Sequence, residues 1–289
     1  MTIQAPASLT NPAPPVLIFL HIPKTAGSTL TDILRRQYSP EATFLTGGPR
    51  RPGLEQFEAL PLHQRERFAC LAGHMMFGVH RLLPRPARYL TILRDPVDRV
   101  MSLYYYIRGL PEHPMHERVL RDRITLEDFV RLIPSDEQVR FLSGPWDGGA
   151  APTPREMLER AERNITEHFA TFGLAERFDE SLVLFKRMFG WRHLHYYRRN
   201  VTKVRPPLSA LAPSTVAAVE RHNVLDLELY KFATTAFDRM LQAHGIRPVD
   251  VMRFRMLNRL HGVVTAASTK LRLAGLRWST SAIAGGRRR

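Results

Sequence analysis

The chain reads as an α/β domain, a parallel β-sheet flanked by helices on both faces. Three observations predict it. Short runs of apolar residues rich in β-formers recur at 16–20, 68–72, 88–93 and 170–174. Stretches with helical capping signals fall between them, and strands alternating with helices are the pattern of a parallel sheet covered on both sides. At 289 residues, with 44% hydrophobic and 24% charged content, the chain has material for one substantial core plus tails.

In order, residues 1–15, with Pro6, Pro12, Pro14 and Pro15, read as a disordered lead-in. A strand at 16–22 runs into a polar loop and a helix at about 28–38. Residues 39–67 carry Gly47-Gly48-Pro49 and Pro52-Gly53 and read as mostly irregular, with a short helical piece at 54–60. The second strand, 68–72, ends in Gly73-His74. The third, 88–93, stops at Arg94-Asp95-Pro96, where Asp95 caps a helix over 96–108 and Pro96 takes its first position. Thr125 caps a helix reaching 132, with Asp128 close to a capping box. Residues 144–154 form a Gly/Pro loop, and Thr153 caps a helix over 154–168. A strand at 170–174, a helix at 176–189, a final strand at 193–198 and two helices or one bent helix over 213–245 complete the domain, 16–245.

The charge is unusual. Lys+Arg 42 against Asp+Glu 27 gives +15, a field that favours anionic partners. More than half of it falls in 246–289, a basic extension that is either helical or disordered. Met252, Met256, Leu260, Val263 and Val264 recur there at helical spacing, which suggests peripheral membrane or polyanion contact. Nucleic acid is not expected as a partner. A single cysteine, Cys70, excludes an internal disulfide and a Cys cluster for zinc. No secretory signal is visible, and a reducing cytoplasm is the expected location.

Two stretches carry chemistry. Val16-Leu17-Ile18-Phe19-Leu20-His21-Ile22-Pro23-Lys24-Thr25-Ala26-Gly27-Ser28-Thr29 reads as strand, tight loop and helix start. That arrangement aims backbone N–H groups and the positive end of a helix dipole at one point, an anion cradle. Lys24 adds a mobile charge, and Thr25, Ser28 and Thr29 add hydroxyls. The order differs from the G-x-x-x-x-G-K-[ST] loop of triphosphatases, because Lys24 precedes Gly27 and no glycine precedes it. The second stretch, Leu93-Arg94-Asp95-Pro96-Val97-Asp98-Arg99-Val100-Met101-Ser102, places Arg94 at a strand's end and Ser102 about two turns into the next helix. Ligands of open α/β sheets bind at the carboxyl ends of strands. Lys24 and Arg94 are therefore expected on one edge, holding two separated phosphates.

Together, His21–Thr29 and Leu93–Tyr104 resemble the 5′-phosphosulfate and 3′-phosphate motifs of the carbohydrate sulfotransferases, which share a P-loop-type fold. The branch with the heparan sulfate and uronyl 2-O-sulfotransferases is the most similar. Gly73-His74-Met75, the stretch from Phe172 to Leu182, and Asn200-Val201-Thr202-Lys203 with Asp226 and Leu229-Tyr230 also fit, over roughly 16–244. The resemblance implies a donor, 3′-phosphoadenosine-5′-phosphosulfate (PAPS), whose product is 3′-phosphoadenosine-5′-phosphate (PAP), and no metal. It implies Lys24, Thr25, Ala26, Gly27, Ser28 and Thr29 at the 5′ side, Arg94 and Ser102 at the 3′-phosphate, and Lys203 and Arg205 in a segment closing over the donor. Lys24 would also neutralise charge on the leaving oxygen.

His74 matches the family's Gly-His position and is the candidate general base for an acceptor hydroxyl, of a carbohydrate or another molecule that is itself allowed to be anionic. The family's second histidine is replaced by Ala72; His21 and His80 are candidates to assist. Two rival readings are a P-loop kinase or triphosphatase and a non-catalytic polyanion-binding protein.

Overall fold

The computed structural model describes residues 14–47, 52–146, 148, 150–197 and 205–273, the stretch 263–273 as backbone alone. Five strands form one sheet: β1 (Val16–Leu20), β2 (Thr43–Thr46), β3 (Cys70–Gly73), β4 (Ala87–Leu93) and β5 (Phe169–Leu174). Their order is β2-β3-β1-β4-β5, and every pairing is parallel. The helices are α1 (Gly27–Gln37), α2 (Leu54–Glu58), α3 (Leu62–Arg65), α4 (Pro96–Arg108), α5 (His116–Arg121), α6 (Leu126–Val130), α7 (Glu137–Ser143), α8 (Pro154–His168), α9 (Phe178–Phe189), α10 (Pro213–His222), α11 (Val224–Ala243) and α12 (Pro248–Leu273).

The central strand explains its own composition. Val16, Ile18 and Leu20 enter one core with α8 and α11; Leu17 and Phe19 enter another with α1 and α9. A strand between two layers has no face for water, so its five residues are all apolar. A third cluster joins α4, α5, α6 and α10 beside the sheet, around Val100, Tyr104, Phe129 and Val219.

Several elements start where their caps dictate. Asp95 accepts from Asp98 N at 2.9 Å, and Pro96 opens α4. Thr153 and Glu156 close a full capping box on α8. At 213–245 there are two helices, broken at Asn223. Two expectations fail. Residues 39–67 are not mostly irregular, because β2 adds an edge strand beside β3. Residues 193–197 are not a strand: Arg36 donates to the carbonyls of His193 and His195, and Asn258 brackets the backbone of Tyr196, so side chains satisfy this backbone instead of a ladder.

From Pro248 the chain runs into α12, which packs on α9: Phe254 joins the α1/α9 core, and Arg255 bonds Asp179 at 2.8 Å. No helix among the described residues is long and apolar enough to cross a membrane.

Candidate active site

The candidate residues gather at the carboxyl edge of the sheet, where β1, β3, β4 and β5 end. Beyond β1 the chain turns tightly into α1. Lys24 and Ala26 take left-handed conformations, φ +69° and +66°, of the kind that turn successive amides toward a common point. In the first turn of α1 the Thr29 N–H donates to the Ala26 carbonyl at 3.1 Å, while Gly27 and Ser28 sit at the helix start, where N–H groups have no intrahelical acceptor. A Cβ at Gly27 would lie 2.0 Å from the His21 ring, so any larger residue opening α1 displaces that ring. Thr25 is buried and donates its hydroxyl proton to the Ile22 carbonyl at 2.9 Å, so it braces the turn. Ser28 is exposed at the mouth of the loop, and Thr29 is buried behind it.

Helix α4 supplies the opposite wall. Asp98, Ser102 and Tyr106 recur every four residues and so share a face. Asp98 accepts from Arg94 Nε at 2.7 Å and also pairs with Arg205. One turn on, Ser102 is nearly buried. A turn further, the Tyr106 ring carries the Lys24 ammonium, 3.6 Å from its centre. Arg94 Nη1 donates to the Lys24 carbonyl at 2.8 Å. The two anion motifs, 70 residues apart in sequence, meet through that bond.

Arg94 is held from several sides. The Gln138 amide accepts from Arg94 N and donates to Arg94 O, both at 2.9 Å. Glu176 lies 3.8 Å from its guanidinium, accepts from Asp95 N at 3.1 Å and accepts from the Tyr230 hydroxyl at 2.7 Å. Gln138 is itself fixed by a reciprocal device. Asp226 accepts from the N–H groups of Gln138 and Val139 at the start of α7, while Asp136 accepts from those of Leu225 and Asp226 at the start of α11. Arg99, wholly buried, pairs with Glu137 and approaches Asp226.

The electrostatics agree with this geometry. Burial, then Arg94 and Arg205, depress Lys24 from 10.5 to about 8. Burial and Arg94 depress Arg205 to about 10, and burial lowers Arg94 as well. A cluster that disfavours three positive charges at once is relieved by a polyanion.

His74 follows β3 through Gly73, whose φ of +151° and close approach to the Thr46 carbonyl exclude a side chain. The imidazole is exposed and stacks on His21, with centroids 4.3 Å apart. Its Nδ1 lies 2.8 Å from the His21 carbonyl oxygen. A carbonyl only accepts, so Nδ1 carries a hydrogen, and in the neutral ring it is Nε2 that presents the lone pair.

The structure thus brings Lys24, Thr25, Ala26, Gly27, Ser28, Thr29, Arg94, Ser102 and Arg205 together at one edge, with His74 beside them. Lys203 lies outside the described residues. His21 meets His74, but His80 does not: its Nδ1 lies 2.9 Å from the Tyr89 hydroxyl and its ring stacks on His168. Sequence reasoning missed Asp98 and Tyr106; their i−4 and i+4 spacing from Ser102 is the signal that could have found them. Gln138, in the first turn of α7, left no signal.

Sheet order, cradle and second cationic centre define a P-loop-type α/β protein. The family model described as Galactose-3-O-sulfotransferase matches residues 1–132 and 143–265, and the chain belongs to that family. Bovine galactose-3-O-sulfotransferase 3 is 29% identical over 276 residues, 84% of this chain and 63% of its own. Human galactosylceramide sulfotransferase is 28% identical over 250 residues, 79% and 58%. Heparan sulfate 2-O-sulfotransferase 1 of Xenopus laevis, from the branch expected on sequence, is 26% identical over 183 residues, 56% and 50%. The chain spans under two thirds of the length of each of these relatives.

Proposed function

We propose that this protein moves a sulfuryl group from PAPS to a hydroxyl of a carbohydrate. The observation that carries the reading is the 2.8 Å bond from Arg94 to the Lys24 carbonyl, which makes two cationic phosphate motifs parts of one site. The loop amides and Ser28 hold the 5′ end of the donor. Arg94, Arg205 and Ser102 hold the 3′-phosphate, the group that separates this donor from ATP.

His74 Nε2 takes the proton of the acceptor hydroxyl as its oxygen bonds to sulfur. The bond from sulfur to the bridging oxygen breaks, and PAP leaves with its new charge beside the Lys24 ammonium. Positioning and charge stabilisation supply the catalysis. The family and the names of the relatives make the 3-hydroxyl of galactose the first acceptor to test.

Calorimetric titration with PAP tests the site. The wild type binds PAP well above ATP, and Lys24→Ala and Arg94→Ala each weaken it about tenfold or more; equal affinities in all three overturn the assignment. Transfer of labelled sulfate from PAPS to a panel of galactosides then tests the acceptor.

A further inference from the structure

Helix α12 presents an apolar stripe to solvent on the side turned away from the protein. Val251, Phe254 and Asn258 face the body: the first is buried, the second packs in the α1/α9 core, and the third bonds the backbone of Tyr196. Opposite them, Val249, Met252, Met256 and Leu260 follow at spacings of three, four and four, and thus fall on one line. Their exposures are 48%, 57%, 58% and 60%. A single exposed apolar residue is ordinary; four in a line on a helix already anchored by its other face is a surface without its partner.

The flanks identify the partner. Arg253 and Arg259 are exposed, and at 100° per residue they fall to either side of the stripe. Asp250 is the one acidic residue over 248–262. A second copy of this chain laid stripe to stripe would set these arginines against each other with little acid to absorb them. An anionic bilayer answers both features: acyl chains take the apolar ridge, and headgroups take the arginines. The whole-chain charge of +15 adds long-range attraction to such a surface.

We propose that α12 is a membrane-docking helix that lies in the plane of an anionic lipid surface, with Val249, Met252, Met256 and Leu260 in the headgroup–acyl boundary. The helix stays on α9 and carries the folded domain with it.

Sedimentation of the full chain with vesicles tests this, using phosphatidylcholine alone or with about a third phosphatidylserine. The wild type sediments with the mixed vesicles and stays in solution with the neutral ones. The Met252→Ser/Met256→Ser/Leu260→Ser variant loses about tenfold in partitioning while keeping its thermal midpoint, because the replaced side chains are exposed. Arg253→Gln/Arg259→Gln likewise loses affinity for the mixed vesicles, and the loss shrinks as salt is raised. Three results overturn the proposal. They are failure of the wild type to bind, undiminished binding by the serine variant, or light scattering that shows a wild-type dimer which the serine variant dissociates.

Discussion

Lys24 Nζ rests on the face of Tyr106, 3.6 Å from the ring centre, and so the cradle after β1 is braced by the third turn of α4. Tyr106 reads in the sequence as one of three tyrosines packing a helix. In the structure its ring is the seat of the proposed catalytic cation, held where burial and two arginines oppose its charge.

A pH profile follows. Lys24 has a lowered value of about 8, so the ammonium is complete below that pH and is lost as pH rises through it. The kcat/KM for PAPS should fall above pH of about 8, since this quantity reports groups of the free enzyme. Lys24→Arg should retain part of the activity and push the alkaline limb beyond reach. Tyr106→Leu removes the ring and should move the limb down by up to about one unit, whereas Tyr106→Phe leaves it in place. A wild-type profile flat to pH of about 10 would refute the role given to Lys24.

Asp98 binds two guanidiniums that repel each other. Asp98→Ala should destabilise the protein by about 2–4 kcal/mol in urea denaturation, because Arg94 and Arg205 then face one another without their shared counter-charge. Saturating PAP should restore part of that loss, since a ligand binding only the folded state stabilises it. No change in the unbound protein's midpoint would show that the pairings carry no weight.

The buried Gln138 side chain bonds the backbone N–H and carbonyl of Arg94, which makes it a positioning residue for that guanidinium. Gln138→Leu should raise the KM for PAPS about tenfold with kcat within a factor of about three, because two buried backbone groups lose their partner and Arg94 loses its register. Gln138→Glu restores the acceptor but not the donor and should recover part of the effect. A loss confined to kcat would contradict the positioning role.

His74→Ala should bind PAP as the wild type does and lose about 10²–10⁴ in turnover. His21→Leu tests the stacking partner. With the backbone carbonyl retained, Nδ1 keeps its acceptor, and the penalty should be far smaller than that of removing His74. If His74→Ala turns over normally, another group takes the proton.

The parts of the fold written in local chemistry were legible. Asp95-Pro96 starts α4, the Thr153 capping box starts α8, and the apolar run of β1 has no polar face because two cores claim it. What was not legible depends on distant partners. β2 is four residues at a sheet edge, three of them only half-buried, and its identity comes from β3. The segment 193–197 has the β-prone look of His-Leu-His-Tyr-Tyr, yet α1 and α12 satisfy its backbone. The site divides the same way. Lys24, Arg94 and Ser102 lie in motifs with their own spacing, whereas Gln138 matters only because tertiary folding brings α7 beneath β4.

The paired caps of α7 and α11 bear on the order in which the protein can form. Each helix begins on a carboxylate from the other, about ninety residues away: Asp226 for α7 and Asp136 for α11. A nascent chain that has emerged only to residue 200 already contains Lys24, His74, Arg94 and Ser102. It still lacks the group that fixes Gln138, and through it Arg94. Closing so long a loop is slow compared with forming local helices. The cradle after β1 can fold early, but the grip on its far end is completed only when the C-terminal third arrives. The grip on Arg94 therefore waits for Asp226, about 130 residues after the motif it steadies.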